Sequence, residues 1–318
     1  MGTQLTSFSS PVQPSFRVCE PDAGRLLFAY SQAIDAYPLE HEHCSGPSRA
    51  DQWLETPVIR FIYPSDPLDA KQPDENYVEE FAAAKAAGLS CSVFSVEDFE
   101  QGTFRPVPKL EDGDRVLYRG WMLGPAEYAR LCDSIINKGA TPVTSSEDYV
   151  RCHYLPNWYE ACKELTPSTV FLARSADFAS ELASLNWPKY FVKDYVKSLT
   201  TARGSVADTP SQVAEVVDLI EKYRGKVDGG VCVRRFEELE PDTEERYFIV
   251  AGTAFGREGT VPDVVQDIAS RITSPFYTAD IVRRTDGVLR LIELGDGQVS
   301  DRKQWPASRF VDVLRAVV

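Results

Sequence analysis

The stretch TADIVRRTDGVLRLIE, residues 278–293, reads as two β-type runs joined at Asp286-Gly287. Asp-Gly between such runs is a strong hairpin signal, because a type I′ turn needs φ > 0 at both central residues. A two-residue turn sets Thr285 opposite Val288 and, counting outward, Asp280 opposite Glu293. Directly opposed residues point to one side of the sheet with Cβ atoms roughly 5 Å apart. Two like charges that close are unfavourable unless a cation or a proton lies between them. The same face is expected to carry Val282, Arg284, Leu289 and Leu291. Two hard oxygen ligands ending an apolar face suit Mg2+, which takes one or two carboxylates and phosphate oxygens. Two solvated rim carboxylates are the plain alternative.

Working outward, strands and helices alternate upstream. Residues 58–63 (VIRFIY) and 89–95 (LSCSVFS) read as strands around an Ala-rich helix at 75–88, with Gly88 as its stop. Residues 116–119 (VLYR) form a third strand, followed by a helix over 125–138 that Gly139 closes. This order predicts a small parallel α/β domain, in which ligands gather at the carboxyl ends of strands. Arg119 occupies such an end. The remainder reads as a helix over 146–165 and strands at 169–173, 190–195, 230–236 and 246–252, with a helix at 210–223 between them. An antiparallel sheet with helices against it is expected there, so the fold class is α/β followed by α+β. The divisions are an extension over 1–55, a first domain over 56–140 and a second over 141–318.

Two features of the second half point to anion binding. Lys193 lies inside a strand, and a lysine there is costly to bury without an anionic partner. The segment 197–205 (KSLTTARGS) is small, hydroxyl-rich and basic, a composition that can wrap phosphates through N–H and hydroxyl groups. An ordinary surface loop has the same composition.

The chain has 318 residues and a net charge of −14. So acidic a chain lacks the basic footprint of general nucleic-acid binding, though it can hold a local basic cleft. The seven cysteines (19, 44, 91, 132, 152, 162 and 232) are scattered without a C-x-x-C, as expected of reduced thiols in a cytoplasmic protein. No run has the apolar length of a membrane span, and no apolar stretch near residue 1 resembles a secretory signal. Gly2 formally fits an acylation pattern, and Glu40-His41-Glu42-His43-Cys44 has metal-binding residue types at a spacing that fits no class of site. No P-loop or G-x-G-x-x-G follows a strand. His153 is the single histidine beyond residue 55, so no Ser-His-Asp or Cys-His set can be assembled there.

Four segments in order, Val116–Gly120 (VLYRG), Tyr190–Asp194 (YFVKD), Glu244–Val250 (EERYFIV) and Ile292–Gln298 (IELGDGQ), resemble the ATP-grasp superfamily over residues 56–318. The closer resemblance is to its clade marked by two arginines and a lysine. The resemblance implies an ATP-dependent carboxylate–amine ligase that works through an acyl phosphate, with ATP and Mg2+ as cofactors and small-molecule or peptide carboxylate and amine substrates. It implies that Lys193 contacts the α- or β-phosphate and that the loop containing Lys197 and Ser198 closes over the phosphates. The chain from Val233 to Glu237, with Arg234 and Phe236, would present the adenine site, and one of Glu237, Glu238 or Glu240 would take the ribose. Arg246 would stabilise the transferred phosphoryl group, and Arg119 would reach towards the acceptor, with Arg234 or Arg235 beside it. Asp280 and Glu293 would hold Mg2+, joined by Asp296. The usual Glu-x-Asn of the last metal site is replaced by Glu293-Leu294-Gly295-Asp296, and a second ATP-contacting lysine has no clear counterpart, Arg151 and Lys163 being poor candidates. A phosphotransferase acting on a small acceptor and a non-catalytic nucleotide-binding protein are the other readings. Covering the site, joining a homodimer and forming a free tail are the three roles open to residues 1–55.

Overall fold

The computed structural model describes residues 59–317, residues 200 and 202 excepted. The expected extension over 1–55, its helix-like piece at 23–36, the acylation pattern and the 40–44 run lie outside these residues.

The first sheet comprises β1 (Ile59–Pro64), β2 (Ser90–Phe94), β3 (Arg115–Tyr118) and β4 (Thr141–Pro142). Its order is β2-β1-β3-β4 and every pairing is parallel. Helices α1 (Val78–Ala86), α2 (Val96–Glu100) and α3 (Pro125–Ile136) connect the strands. β1 is apolar on both faces because both are covered, as in parallel sheets generally. Ile62, Val116 and Tyr118 pack with α2 and α3. Ile59, Phe61 and Tyr63 point the other way, into a core shared with Ala84 of α1 and with Phe248, Phe276 and Phe310 from the far end of the chain.

Helices α4 (Ser146–His153) and α5 (Leu155–Cys162) follow where a single helix over 146–165 was expected. Pro156 has no N–H for the Cys152 carbonyl and its ring crowds it, so the first helix ends and Tyr154 is extended.

The second sheet consists of β5 (Thr169–Leu172), β6 (Tyr190–Asp194), β7 (Val206–Ala207) and β8 (Val231–Arg235), antiparallel in the order β5-β8-β6-β7. Helices α6 (Phe178–Leu182) and α7 (Pro210–Arg224) cover one face of it. Gly225 closes α7 at φ +77°, a left-handed position that glycine reaches without a side-chain clash.

The third sheet consists of β9 (Glu245–Val250), β10 (Thr253–Phe255), β11 (Phe276–Arg283) and β12 (Leu289–Asp296), antiparallel in the order β10-β9-β11-β12. Helix α8 (Asp263–Arg271) packs on one face, and the C-terminal α9 (Ala307–Val317) fills the core shared with the first sheet. In that core the Phe310 ring lies 4.7 Å from Phe248, and Phe248 lies 6.0 Å from Phe276. Each such buried aromatic contributes about 1.5–3 kcal/mol through area removed from water.

The hairpin differs from expectation in an instructive way. Arg284 N–H donates to Val288 O at 2.8 Å, leaving a three-residue loop in which only Gly287 has positive φ, at +88°. That is a type I turn closed by a left-handed glycine, the three-residue hairpin form, and no type I′ turn is present. Register therefore runs Arg283↔Leu289 and Ile281↔Leu291, and a bulge between Asp280 and Ile281 restores Asp280↔Glu293. The shift by one residue moves Leu289 and Leu291 to the opposite face, where they pack in the core beside α5 and α8. Arg290, paired with Val282, takes the place expected for Leu291.

Candidate functional site

Alternation along the second sheet separates structure from chemistry. Val192 and Val233 face α6 and α7. Phe191, Lys193 and Arg234 face the other way. There Phe191 and Arg234 join Pro167, Val206, Phe236 and Ile292 around a cleft of about 310 Å³. The bulge in β12 re-aims Ile292 into this cleft while Glu293 remains opposite Asp280.

The predicted cleft residues differ in how free they are. Arg234 is buried, donating from Nη1 to Ile292 O at 2.8 Å and from Nη2 to Thr166 Oγ1. Burial pushes its guanidinium down to about 10. Glu237 accepts a bidentate pair from Arg290 at 2.9 and 3.0 Å, with Arg284 3.8 Å away. Glu240 lies 3.5 Å from Arg283. Phe236 N–H donates to Lys189 O at 3.1 Å, fixing the chain that rims the cleft.

Beside the cleft the second and third sheets bring their charges together. Lys193 is 5% exposed, and its Nζ lies 3.6 Å from Glu293 Oε1. Asp280 sits between Glu293 on β12 and Arg246 on β9. Arg246 donates from Nε to Asp280 Oδ1 at 2.8 Å and from Nη2 to Oδ2 at 2.6 Å, and from Nη1 to Asp301 O at 2.8 Å. Lys303 adds a contact from Nζ to Asp280 Oδ2 at 3.1 Å and another to Glu244. The repulsion expected of the carboxylate pair is thus answered by the protein's own cations. Lys303 was not foreseen: it lies in the aperiodic segment between β12 and α9, where no pattern marks it.

The 197–205 loop folds back on β6. Asp194 Oδ1 accepts from Val196 and Lys197 N–H at 2.8 and 2.6 Å, and Ser205 Oγ accepts from Leu199 N–H at 2.8 Å. Ser198 bridges Lys193. The Lys197 ammonium is held below its ordinary range, first by the protein around it and then by Lys193, Arg224 and Arg246, with Glu293 opposing.

Two predicted members stand apart. Arg119 is 1% exposed and its side chain points into protein. Nε and Nη2 each donate to Glu80 at 2.8 Å, and Nη1 donates to the carbonyls of Gly297, Gln298 and Ser300. It clamps the first sheet to the chain after β12, with its donors turned inward and away from any acceptor. Asp296 is also corrected: it pairs with Tyr277, on the face opposite Asp280 and Glu293. It is fully buried, and its Oδ1 accepts from Gln298 N and Nε2 at 3.0 and 3.1 Å. Position 295, which does share the Glu293 face, is glycine, and a Cβ there would lie 2.9 Å from Ser300 Oγ. Arg151 and Lys163 pair with acids on their own helices or just beyond them.

Burial pushes the Asp296 carboxyl up to about 7. The folded state then holds a proton that the unfolded chain has released, so this group's stabilisation is full below the unfolded value and is lost as pH rises towards 7. His153, buried with neither ring nitrogen partnered among the described residues, is pushed down to about 4 by burial, and its contribution runs the other way, rising with pH between about 4 and 6.5. The substitution Asp296→Asn separates the two. Relative to wild type, the variant is expected to gain about 2–3 kcal/mol between about pH 5 and pH 8 in urea unfolding. A constant difference between the proteins across that range would show that Asp296 does not titrate there.

Residues 166–314 match the family model for the ATP-grasp domain of the clade named for two arginines and a lysine, family 3. No curated protein matches the sequence significantly. Among solved structures, D-cycloserine synthetase DcsG is similar over 81% of this chain and 99% of its own, at TM-score 0.57 and 15% identity. The ATP-grasp ligase PsnB, complexed with minimal precursor, Mg and ADP, is similar over 81% and 97%, at 0.51 and 14%. The D-alanine–D-alanine ligase from Bacillus anthracis is similar over 82% and 97%, at 0.53 and 11%. These identities speak for a shared fold, and the parallel sheet followed by two antiparallel sheets is that fold. Through residues 166–314 the chain belongs to the ATP-grasp family, in family 3 of the clade marked by two arginines and a lysine.

Proposed function

We propose that the chain is an ATP-dependent ligase that joins a carboxylate to an amine through an acyl phosphate, releasing ADP and phosphate. The observation that carries this reading is the convergence of Lys193, Glu293, Asp280 and Arg246 at the edge of an apolar cleft between two antiparallel sheets. The cleft suits a flat heterocycle between Phe191 and Ile292, with the 234–237 chain along its rim. Lys193, Lys197 and Arg246 suit the phosphates. Phosphoryl transfer needs positioning and charge neutralisation more than covalent chemistry, so cations held in place before the substrate arrives supply much of the catalysis.

Mg2+ fits in part. Glu293 is half-buried, and its one cationic contact is the 3.6 Å approach of Lys193, so it is free to ligate. Asp280 has both oxygens on Arg246 and Lys303, and Asp296 lies on the other face. Glu293, with phosphate oxygens, would hold the ion, which would add charge neutralisation at the phosphates. A second cleft, of about 280 Å³, opens beside Lys197 between Tyr77, Trp121, Met122, Asp301 and Arg302. It would take the acceptor, with Arg302 in the position first expected of Arg119. The division of labour would place the acceptor on the first sheet's carboxyl edge, residues 56–140, and the nucleotide on residues 141–318.

The test is ADP and phosphate release from Mg-ATP with a panel of carboxylates and amines, peptides included. A ligase needs both partners before phosphate appears. Phosphate retained on a single acceptor would instead establish a phosphotransferase, and absence of nucleotide binding would reject the reading.

A further inference from the structure

Lys303 reaches Asp280 from a constrained backbone. Its φ is +49°, a left-handed conformation that costs a non-glycine residue about 1–3 kcal/mol. Its N–H donates to Asp301 Oδ1 at 3.0 Å, which fixes the turn, and its Nζ lies between Glu244 and Asp280. A carboxylate offers lone pairs on both oxygens. Arg246 engages each Asp280 oxygen once, and Lys303 engages Oδ2 again. Across the site Lys193, Lys197, Arg246 and Lys303 stand against Asp280, Glu293, Glu244 and Asp301, so side chains alone balance the charge.

We propose that Lys303 is a resident cation that takes the place of a divalent ion on Asp280, so that the site binds a nucleotide polyphosphate without metal at that carboxylate. The inference rests on the ATP reading above. A buried Asp280 without a cation would repel a polyphosphate. With Lys303 and Arg246 in place, the site presents N–H donors before any metal arrives, and Glu293 remains for the ion that travels with the nucleotide.

The experiment is calorimetric binding of a non-hydrolysable ATP analogue to the full chain, in EDTA and in Mg2+, for wild type and Lys303→Met. Wild type is expected to bind in EDTA within about tenfold of its affinity in Mg2+. Lys303→Met is expected to lose at least about tenfold in EDTA and to regain most of it in Mg2+, because the ion then fills the vacated position. Lys303→Arg, which retains the charge, is expected to keep metal-free binding, and it serves as the test if the Met variant fails to fold. An equal loss for Lys303→Met in both media would mean that the lysine only shapes its loop, and would overturn the proposal. Wild-type binding that vanishes in EDTA would overturn it too, while leaving the ATP reading intact. No wild-type binding in either medium would reject the ATP reading, and this proposal with it.

Discussion

Arg119→Ala is expected to destabilise the fold by about 3–5 kcal/mol, the cost of removing one partner of a buried ion pair. Arg119 and Glu80 are each 1% exposed and joined by two hydrogen bonds of 2.8 Å. Removing the guanidinium leaves the Glu80 carboxylate in protein with Arg302, 3.6 Å away, as its remaining cation. The carbonyls of Gly297, Gln298 and Ser300 lose a donor at the same time, and the Phe310 ring loses the cation stacked 4.8 Å from its centroid. Urea unfolding monitored by tryptophan fluorescence measures the change. The double variant Arg119→Met with Glu80→Leu is expected to recover part of it, since no charge is then stranded, but not all, because the carbonyls stay unpaired. A loss under about 1 kcal/mol for Arg119→Ala would mean that water reaches Glu80 and that the clamp is weak.

That arginine also shows where sequence reasoning stops. Its place at the end of β3 was readable, because VLYR is a strand and Gly120 ends it. The direction of its side chain was not, because that depends on Glu80, which lies 39 residues earlier on a helix whose packing the sequence does not state. The hairpin teaches the same lesson more sharply. Asp286-Gly287 marked a turn at the right place, and Asp280 does stand opposite Glu293. The count succeeded because two one-residue differences cancel: the turn is one residue longer than a type I′ turn, and the bulge in β12 restores the register. No local signal announces that bulge, and it decides which leucines face the core. Parity alone could have excluded Asp296, since three steps from Glu293 along an extended strand reach the opposite face. Lys193 was legible for the reverse reason: a charged residue in an otherwise apolar strand demands a partner, and Glu293 supplies it. Lys303 was hidden because its role depends on a left-handed backbone and on partners from two other strands.

The other large effect is catalytic. Lys193→Met is expected to lower ATP-dependent turnover by at least about a hundredfold, while unfolding free energy changes by under about 1 kcal/mol. The split follows from where the ammonium sits. Its stem packs within the second sheet opposite Cys232, and methionine preserves that packing. Its charge meets a single protein anion, Glu293, which is 38% exposed and can turn to water when the lysine is lost. Little stability is therefore at stake in the pair. A phosphate bound between Lys193 and Arg246 has no such recourse, since both cations are largely enclosed and the developing charge of phosphoryl transfer falls between them. Lys193→Arg retains the charge but carries a longer, planar group into a position shaped for an ammonium, so it is expected to restore nucleotide affinity better than turnover. Steady-state ADP release, paired with urea unfolding of the same preparations, separates the two effects. Turnover within threefold of wild type in the Met variant would remove Lys193 from the phosphates and leave its contact with Glu293 a purely structural one.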